Sequence, residues 1–233
     1  MATMTYRFGR SDPREPDGRA RVAVFGADGA TGQLAVRHAL EAGHRVTACV
    51  ADPAHLPLEH EGLRLVRADP RWPDSLWGVL DGHDAVLCLV GHKPAPLPSP
   101  DALAHAHPAA ARATRALLEA MAVAGVERLL VLGAAGVGNS ARTGRLGLGR
   151  WLRWCLPEVM ADKERQERLV RHSGLRWTVL RPGRLSHEPA CGHVAFGEDL
   201  PWGLRSTSRE DVAELMVRLI DEPAAVGKAL TVV

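Results

Sequence analysis

Tyrosine occurs once in this 233-residue chain, at Tyr6, and lysine three times, at Lys93, Lys163 and Lys228. No apolar run reaches the length of a membrane span, so no integral membrane segment is expected. The first residues lack the apolar stretch of a secretory signal; Arg10 to Arg19 is charged and contains proline. A cytoplasmic location is the expectation. Cys49, Cys88, Cys155 and Cys191 are far apart and form no C-x-x-C pair. They read as reduced thiols, Cys49 and Cys88 inside buried strands, and not as a disulfide set or zinc site. The histidines show no H-E-x-x-H or similar spacing, so no metal is expected. With 29 Lys plus Arg against 27 Asp plus Glu, the net charge of +2 demands no nucleic-acid partner. Composition says nothing of the oligomeric state.

What is present is glycine in a telling place. In Arg21–Gln33, RVAVFGADGATGQ, Val22, Val24 and Phe25 form a short apolar strand. Gly26, Gly29 and Gly32 follow at G-x-x-G-x-x-G spacing, and a helical pattern runs over residues 31–42. A strand that turns through glycines into a helix suits a pyrophosphate. Glycine permits the tight turn and close backbone approach, and the helix start offers free N–H groups at a positive dipole end. On this reading a branched side chain at Gly26 would occupy the diphosphate's space.

Downstream the pattern alternates strand and helix. Strands are predicted at 44–50, 63–66, 84–90, 127–132, 177–180 and 229–232. Helices are predicted at 74–81, 109–124, 158–172 and 208–220. Pro94, Pro96, Pro98, Pro100 and Pro108 mark a long loop. Residues 133–149 hold six glycines and read as another. The prediction is an α/β, Rossmann-type, doubly wound parallel sheet: a single domain over residues 20–233 behind a mobile tail, 1–19. Such sheets bind ligands beyond the carboxyl ends of their strands. That rim carries Gly26–Gly32, Ala51 and Asp52, Asp69, Gly91 and Gly133–Gly136.

GADGATGQ at 26–33, VTACVAD at 46–52, DAVLCLVG at 84–91 and SGLRWTVLRPGRL at 173–185 together resemble the atypical short-chain dehydrogenase/reductases. The similarity is greatest to the NAD(P)H-binding group that includes biliverdin-IXβ/flavin reductase and the nitrogen-metabolite-repression regulators. The resemblance implies NAD(P)H as cofactor and a small molecule as substrate. It implies cofactor contacts from Gly26, Asp28, Gly29, Ala30, Thr31, Gly32, Gln33, Ala51, Asp52, Asp69, Pro70, Val90, Gly91, Gly133, Ala134, Lys163, Pro182 and Gly183.

The chain departs from the family pattern at informative places. Ala51 stands where the family places an arginine for the NADP 2′-phosphate, and a second basic position falls on His55. Asp28 occupies the middle of the glycine turn. A carboxylate there accepts from ribose hydroxyls and repels a phosphate, which favours NADH over NADPH. Asp52 reads either as the ribose acceptor or as a turn residue before Pro53; Asp69 either lies near the adenine or belongs to an Asp-Pro turn. The family's Tyr and Ser positions fall on Val159 and Ala134. Lys163 remains, expected to hold the nicotinamide ribose or to form an i,i+4 ion pair with Glu167. Asp162, Glu158 and His187 are left as candidates for a proton donor or as solvated or capping residues.

Residues 138–156 interleave Arg142, Arg145, Arg150 and Arg153 with Leu146, Leu148, Trp151, Leu152 and Trp154. Three readings stay open: a substrate lid using Trp151, Arg153 and Trp154, contact with an anionic membrane surface, or a loop packed on its own domain. The functional expectation is an NAD(P)H-dependent oxidoreductase of a flavin-like, quinone-like or other conjugated planar substrate, without the usual Ser/Tyr pair. The alternative is a non-catalytic NAD(P)-binding redox sensor or regulator.

Overall fold

The computed structural model describes residues 4–7, 19–91 and 109–233. In chain order the elements are β1 (Met4–Arg7), β2 (Arg21–Phe25), α1 (Ala30–Glu41), β3 (Arg45–Val50), β4 (Leu63–Arg67), β5 (Ala85–Cys88), α2 (Ala109–Ala124), β6 (Arg128–Leu132), α3 (Ser140–Thr143), α4 (Leu148–Cys155), α5 (Pro157–Arg171), β7 (Arg176–Pro182), β8 (Arg184–Ser186), β9 (His193–Gly197), β10 (Ser206–Ser208), α6 (Arg209–Arg218) and β11 (Lys228–Val232). Nine strands form one sheet in the order β1-β9-β11-β7-β6-β5-β2-β3-β4. From β11 to β4 every neighbouring pair is parallel. β9 and β1 extend the edge in antiparallel fashion.

The period of two along the strands divides the core. Val22 and Val24 face one side with Val46, Ala48, Leu87 and Leu130, under α1 and α6. Ala23 and Phe25 face the other with Val86, Leu129 and Val131, under α2 and α5. This two-sided coverage explains the nearly unbroken apolar runs of the central strands. α1 contributes Ala35, Val36, Ala39 and Leu40, the i, i+1, i+4, i+5 stripe that meets the sheet. At the opposite end of the sheet from the strand termini that matter for function, Arg128 donates to the carbonyls of Leu219 and Ile220 just after α6 and to Arg176 O and Thr178 Oγ1.

The doubly wound architecture is as read from the sequence. The chain lays β2, β3 and β4 outward in one direction and β5, β6, β7 and β11 in the other. The switch point lies between β2 and β5, where open α/β sheets form their ligand crevice.

Three local readings need correction. Within the stretch expected to be a tail, Met4–Arg7 pairs with β9 at the sheet edge. The helix expected over 74–81 is only a 3-10 turn, Pro73–Leu76. The glycine-rich loop holds α3 and α4, because its glycines serve packing and not only turns. A Cβ on Gly149, inside α4, would stand 2.4 Å from Ala141 O of α3; one on Gly144 would stand 3.0 Å from the Trp202 ring. The proline-marked loop, Pro94 to Pro108, lies outside the described residues. No helix among the described residues is long and apolar enough to cross a membrane.

Candidate functional site

The glycine turn joins β2 to α1 at the switch point. Gly26 has φ +78, and a Cβ on it would meet the Leu89 carbonyl carbon at 2.9 Å. Gly29 caps α1 without any side-chain hydrogen bond, and the first turn holds no acid. The helix start therefore presents its N–H groups to the crevice, which suits a diphosphate. This geometry also corrects the expectation for Gly26: a side chain there collides with the protein's own backbone at Leu89 and Val90, just after β5, before it reaches any ligand. Thr31 and Gly32 are buried against the turn, and Gln33 reaches back from α1 to the carbonyls of Asp28 and His55 at 3.4 Å each.

Along the rim beyond β3 and β4 lie Ala51, Asp52 and Asp69. Asp52 is exposed and its carboxylate accepts from Ala54 N at 3.1 Å, so it caps the short turn Pro53–His55. Asp69 is anchored by Ser75, whose Oγ accepts from Asp69 N at 2.9 Å and donates to Asp69 O at 2.8 Å. The Asp69 carboxylate is gripped by Arg71, through Nε at 2.9 and 3.0 Å and Nη2 at 2.6 Å. That bond raises the Arg71 guanidinium further above its ordinary value, and the nearby charge of Asp28 adds to it. Pro70 is buried between them. Arg71 is a rim residue that sequence reasoning missed. The available signal was its place directly after the Asp-Pro step, two residues beyond Asp69, where an Asp side chain commonly folds back on its own loop.

Beyond β5 and β6 the rim carries Val90, Gly91, Gly133 and Ala134. Lys163, from α5, reaches this point. Its Nζ donates to Leu132 O at 2.9 Å and to Gln166 Oε1 at 2.9 Å, and it lies 3.9 Å from where a Gly91 Cβ would be. Burial lowers the Lys163 pKa, against the pull of Cys88 and Asp162. Gln166, itself buried, passes the chain of bonds to Thr114 Oγ1 at 2.9 Å. The ion pair considered between Lys163 and Glu167 is not made. Glu167 turns the other way, to Arg181 and Arg171. Asp162 accepts from Ala110 N and Ala111 N at the start of α2 and is engaged there as a cap.

Pro182 and Gly183 close the rim beyond β7. Pro182 O accepts from Ala135 N at 2.9 Å, which ties the segment after β6 to β7. The same segment is held by groups that sequence reasoning passed over. Arg181, fully buried, pairs with Glu167 through two nitrogens and donates through Nη1 to Asn139 Oδ1 at 2.7 Å. Ser140 Oγ accepts from Gly136 N at 3.0 Å, and Trp202 Nε1 donates to Ser140 O at 2.7 Å. The platform from Gly133 to Thr143 is thus fixed from below. α4 projects from it: Trp151 and Trp154 are exposed, Leu146 just before the helix fully so. Arg153 pairs with Glu164 of α5 at 2.6 Å, one residue from Lys163. The only tyrosine, Tyr6, lies on β1 at the sheet edge, with five strands between it and β2.

The structure thus gathers the glycine turn, Ala51, Asp69, Gly91, Gly133, Lys163 and Gly183 onto one open rim. A crevice with an uncapped helix start, glycine backbones at its floor and a lysine at its far side fits an elongated diphosphate ligand with sugars at both ends.

The comparisons with known proteins agree with this geometry. The chain is 27% identical over 219 residues to an uncharacterized chloroplastic protein of Arabidopsis thaliana, covering 91% of this chain and 76% of that one. It is 31% identical over 112 residues to the uncharacterized sugar epimerase YhfK of Bacillus subtilis, covering 48% of this chain and 47% of the other. Among solved structures, a short-chain dehydrogenase/reductase from Veillonella parvula in complex with NADP superposes with a TM-score of 0.74 at 17% identity, covering 91% and 94% of the two chains. ChuY, an anaerobilin reductase from Escherichia coli O157:H7, superposes with a TM-score of 0.74 at 19% identity, covering 91% and 96%. At those identities the likeness is one of fold. That likeness of fold extends over about nine-tenths of this chain. Residues 26–223 match the model of the NAD(P)H-binding family, and the chain belongs to that family.

Proposed function

We propose that this protein is an NAD(P)H-dependent oxidoreductase whose acceptor is a flavin-like, quinone-like or other conjugated planar molecule. The observation that carries the reading is the setting of Lys163. Its ammonium is held at the end of β6 by Leu132 O and Gln166 Oε1, beside Gly91, while Val159 and Ala134 stand where the resemblance leads one to expect Tyr and Ser. The position that would grip a ribose is kept, and the hydroxyls that would protonate a carbonyl substrate are gone. Bound NAD(P)H supplies a hydride. The chain's residues bind and orient: the glycine turn at the diphosphate, Asp69 at the adenosine end and Lys163 at the nicotinamide ribose. A planar conjugated acceptor delocalises the incoming electron pair and takes its proton from water, so no side-chain acid is needed. The exposed Trp151 and Trp154 offer flat aromatic surface for such an acceptor.

We assign NADH as the preferred cofactor. Ala51 offers no cation to a 2′-phosphate, and Arg71 on the same rim is already committed to Asp69. Asp28, Asp52 and Asp69 leave the rim at that end acidic.

The test is a calorimetric titration with NADH and NADPH, followed by an NADH-oxidation assay with FMN, FAD and quinones. Binding with turnover on at least one of these acceptors supports the reading. Binding without turnover on any acceptor favours the alternative, a redox sensor that reports the dinucleotide; the loss of both hydroxyl positions would suit that as well.

A further inference from the structure

We infer that Arg209 is a phosphate-binding residue of the dinucleotide cradle. The inference rests on the reading of the glycine turn as the diphosphate site. Arg209 is the first residue of α6 and directly follows β10, whose partner β8 begins just after Pro182 at the end of β7. The start of α6 is thereby on the same rim as the glycine turn, although the two are 178 residues apart in sequence. Across that gap Arg209 Nη1 donates to Thr31 Oγ1 at 3.0 Å, in the first turn of α1.

Its environment does not explain the charge. The Arg209 Nε is buried and has no hydrogen-bond partner among the described residues, and none of their carboxylates pairs with the guanidinium. The acids beside it point elsewhere: Glu210 lies 3.0 Å from His38 Nε2, and Asp211 accepts from Cys191 N at 3.0 Å and Gly192 N at 3.1 Å. The buried arginines with structural roles look different. Arg181 has the Glu167 carboxylate and Arg128 has the carbonyls of Arg176, Leu219 and Ile220. Arg209 also opens a helix, where a cation opposes the helix dipole. A guanidinium without a counter-charge therefore leans against the first turn of α1, which has neither a side-chain cap nor an acid. Both groups are complementary to an anion, and the doubly charged diphosphate of a dinucleotide satisfies both. α6, packed beside α1 on the same face of the sheet, thereby becomes an arm of the cofactor site.

The test is calorimetry on the full chain with NADH, ADP-ribose and adenosine. Arg209→Gln should bind NADH and ADP-ribose at least tenfold more weakly than wild type, with less dependence on ionic strength, and should bind adenosine, which has no phosphate, unchanged. Equal weakening of all three ligands would mean that Arg209 only shapes the site and would overturn the inference. So would unaltered NADH affinity in Arg209→Gln, which would leave the glycine turn standing as the diphosphate site. If the wild type binds neither NADH nor NADPH, the reading of the glycine turn falls and this inference falls with it. A second measurement needs no folded Gln variant. The Arg209 Nε–H resonance of the wild type, assigned by its loss in Arg209→Lys, should shift on saturation with NADH, and an unmoved resonance overturns the inference.

Discussion

Gly32 and Gly26 touch: a Cβ on Gly32 would stand 2.0 Å from the Gly26 carbonyl oxygen. The third glycine of the turn therefore allows the first turn of α1 to close on the end of β2. Gly26 in turn lets β2 press against Leu89 at the end of β5. The spacing of the motif is the footprint of two backbone contacts, and the phosphate cradle is their result.

The first prediction follows from that contact. Gly32→Ala should destabilise the fold by about 3 kcal/mol or more, since the obstruction is backbone and cannot rotate aside. Urea denaturation would measure it. A variant as stable as wild type would show that the turn can relax, and that its glycines serve the ligand alone.

The second concerns the adenosine end. Ala51→Arg should strengthen NADPH binding relative to NADH by about 1.5–3 kcal/mol, roughly tenfold or more. Asp69→Asn should move the preference the same way, by loosening the grip on Arg71. Calorimetric dissociation constants for both cofactors check this. A wild-type preference of tenfold or more for NADPH would show that Arg71 or another cation leaves its partner to meet the 2′-phosphate.

The third concerns Lys163. Lys163→Ala should raise the KM for NADH by roughly tenfold or more, the loss of about 1.5–3 kcal/mol from one charged contact, and lower kcat less. Burial lowers the lysine's pKa, so its charge is lost at a pH below its ordinary 10.5. The wild-type KM for NADH should therefore climb as the pH rises toward that value, and Lys163→Ala should flatten the climb. An equal fall in kcat with unchanged KM would place Lys163 in the chemical step instead.

The fourth concerns the support beneath the rim. Burial would raise the Glu167 carboxyl, but its bonds and attraction to Arg181, and then to Arg171, outweigh it and hold the pKa below the ordinary 4.5. A depressed acid adds stability that is present above the unfolded pKa and lost as the pH falls through the folded one. Glu167→Gln should therefore lose about 3–5 kcal/mol at neutral pH, leaving Arg181 buried without its counter-charge, and should lose less than wild type on acidification below about pH 4.5. Thermal melts across pH would show it; parallel curves for the two proteins would contradict the ion pair's role.

The parts of this architecture that were legible in the sequence are those written locally. The strands β2, β3, β5 and β6 announce themselves as apolar runs, and the glycine turn announces the switch point. Lys163 was singled out through the family resemblance, which then put the tyrosine position four residues earlier, on Val159. What escaped depends on partners distant in sequence. β1 exists only by pairing with β9, and neither has a pattern strong enough to stand alone. α3 and α4 were hidden because Gly144 and Gly149, which read as loop punctuation, are small for the sake of Trp202 and Ala141. Arg181 looks like a surface charge in a chain rich in arginine, and only the fold brings Glu167 against it. Arg71 is the exception: its partner Asp69 is two residues away, and the local turn was the signal to read.

The measurement that bears most directly on the central claim is NADH oxidation by the wild-type protein, run in parallel with FMN, FAD, a quinone and an aliphatic ketone. The account predicts turnover with a planar conjugated acceptor and none with the ketone. Robust ketone reduction with a bell-shaped pH profile would contradict it, because that requires a side-chain acid the site is argued to lack.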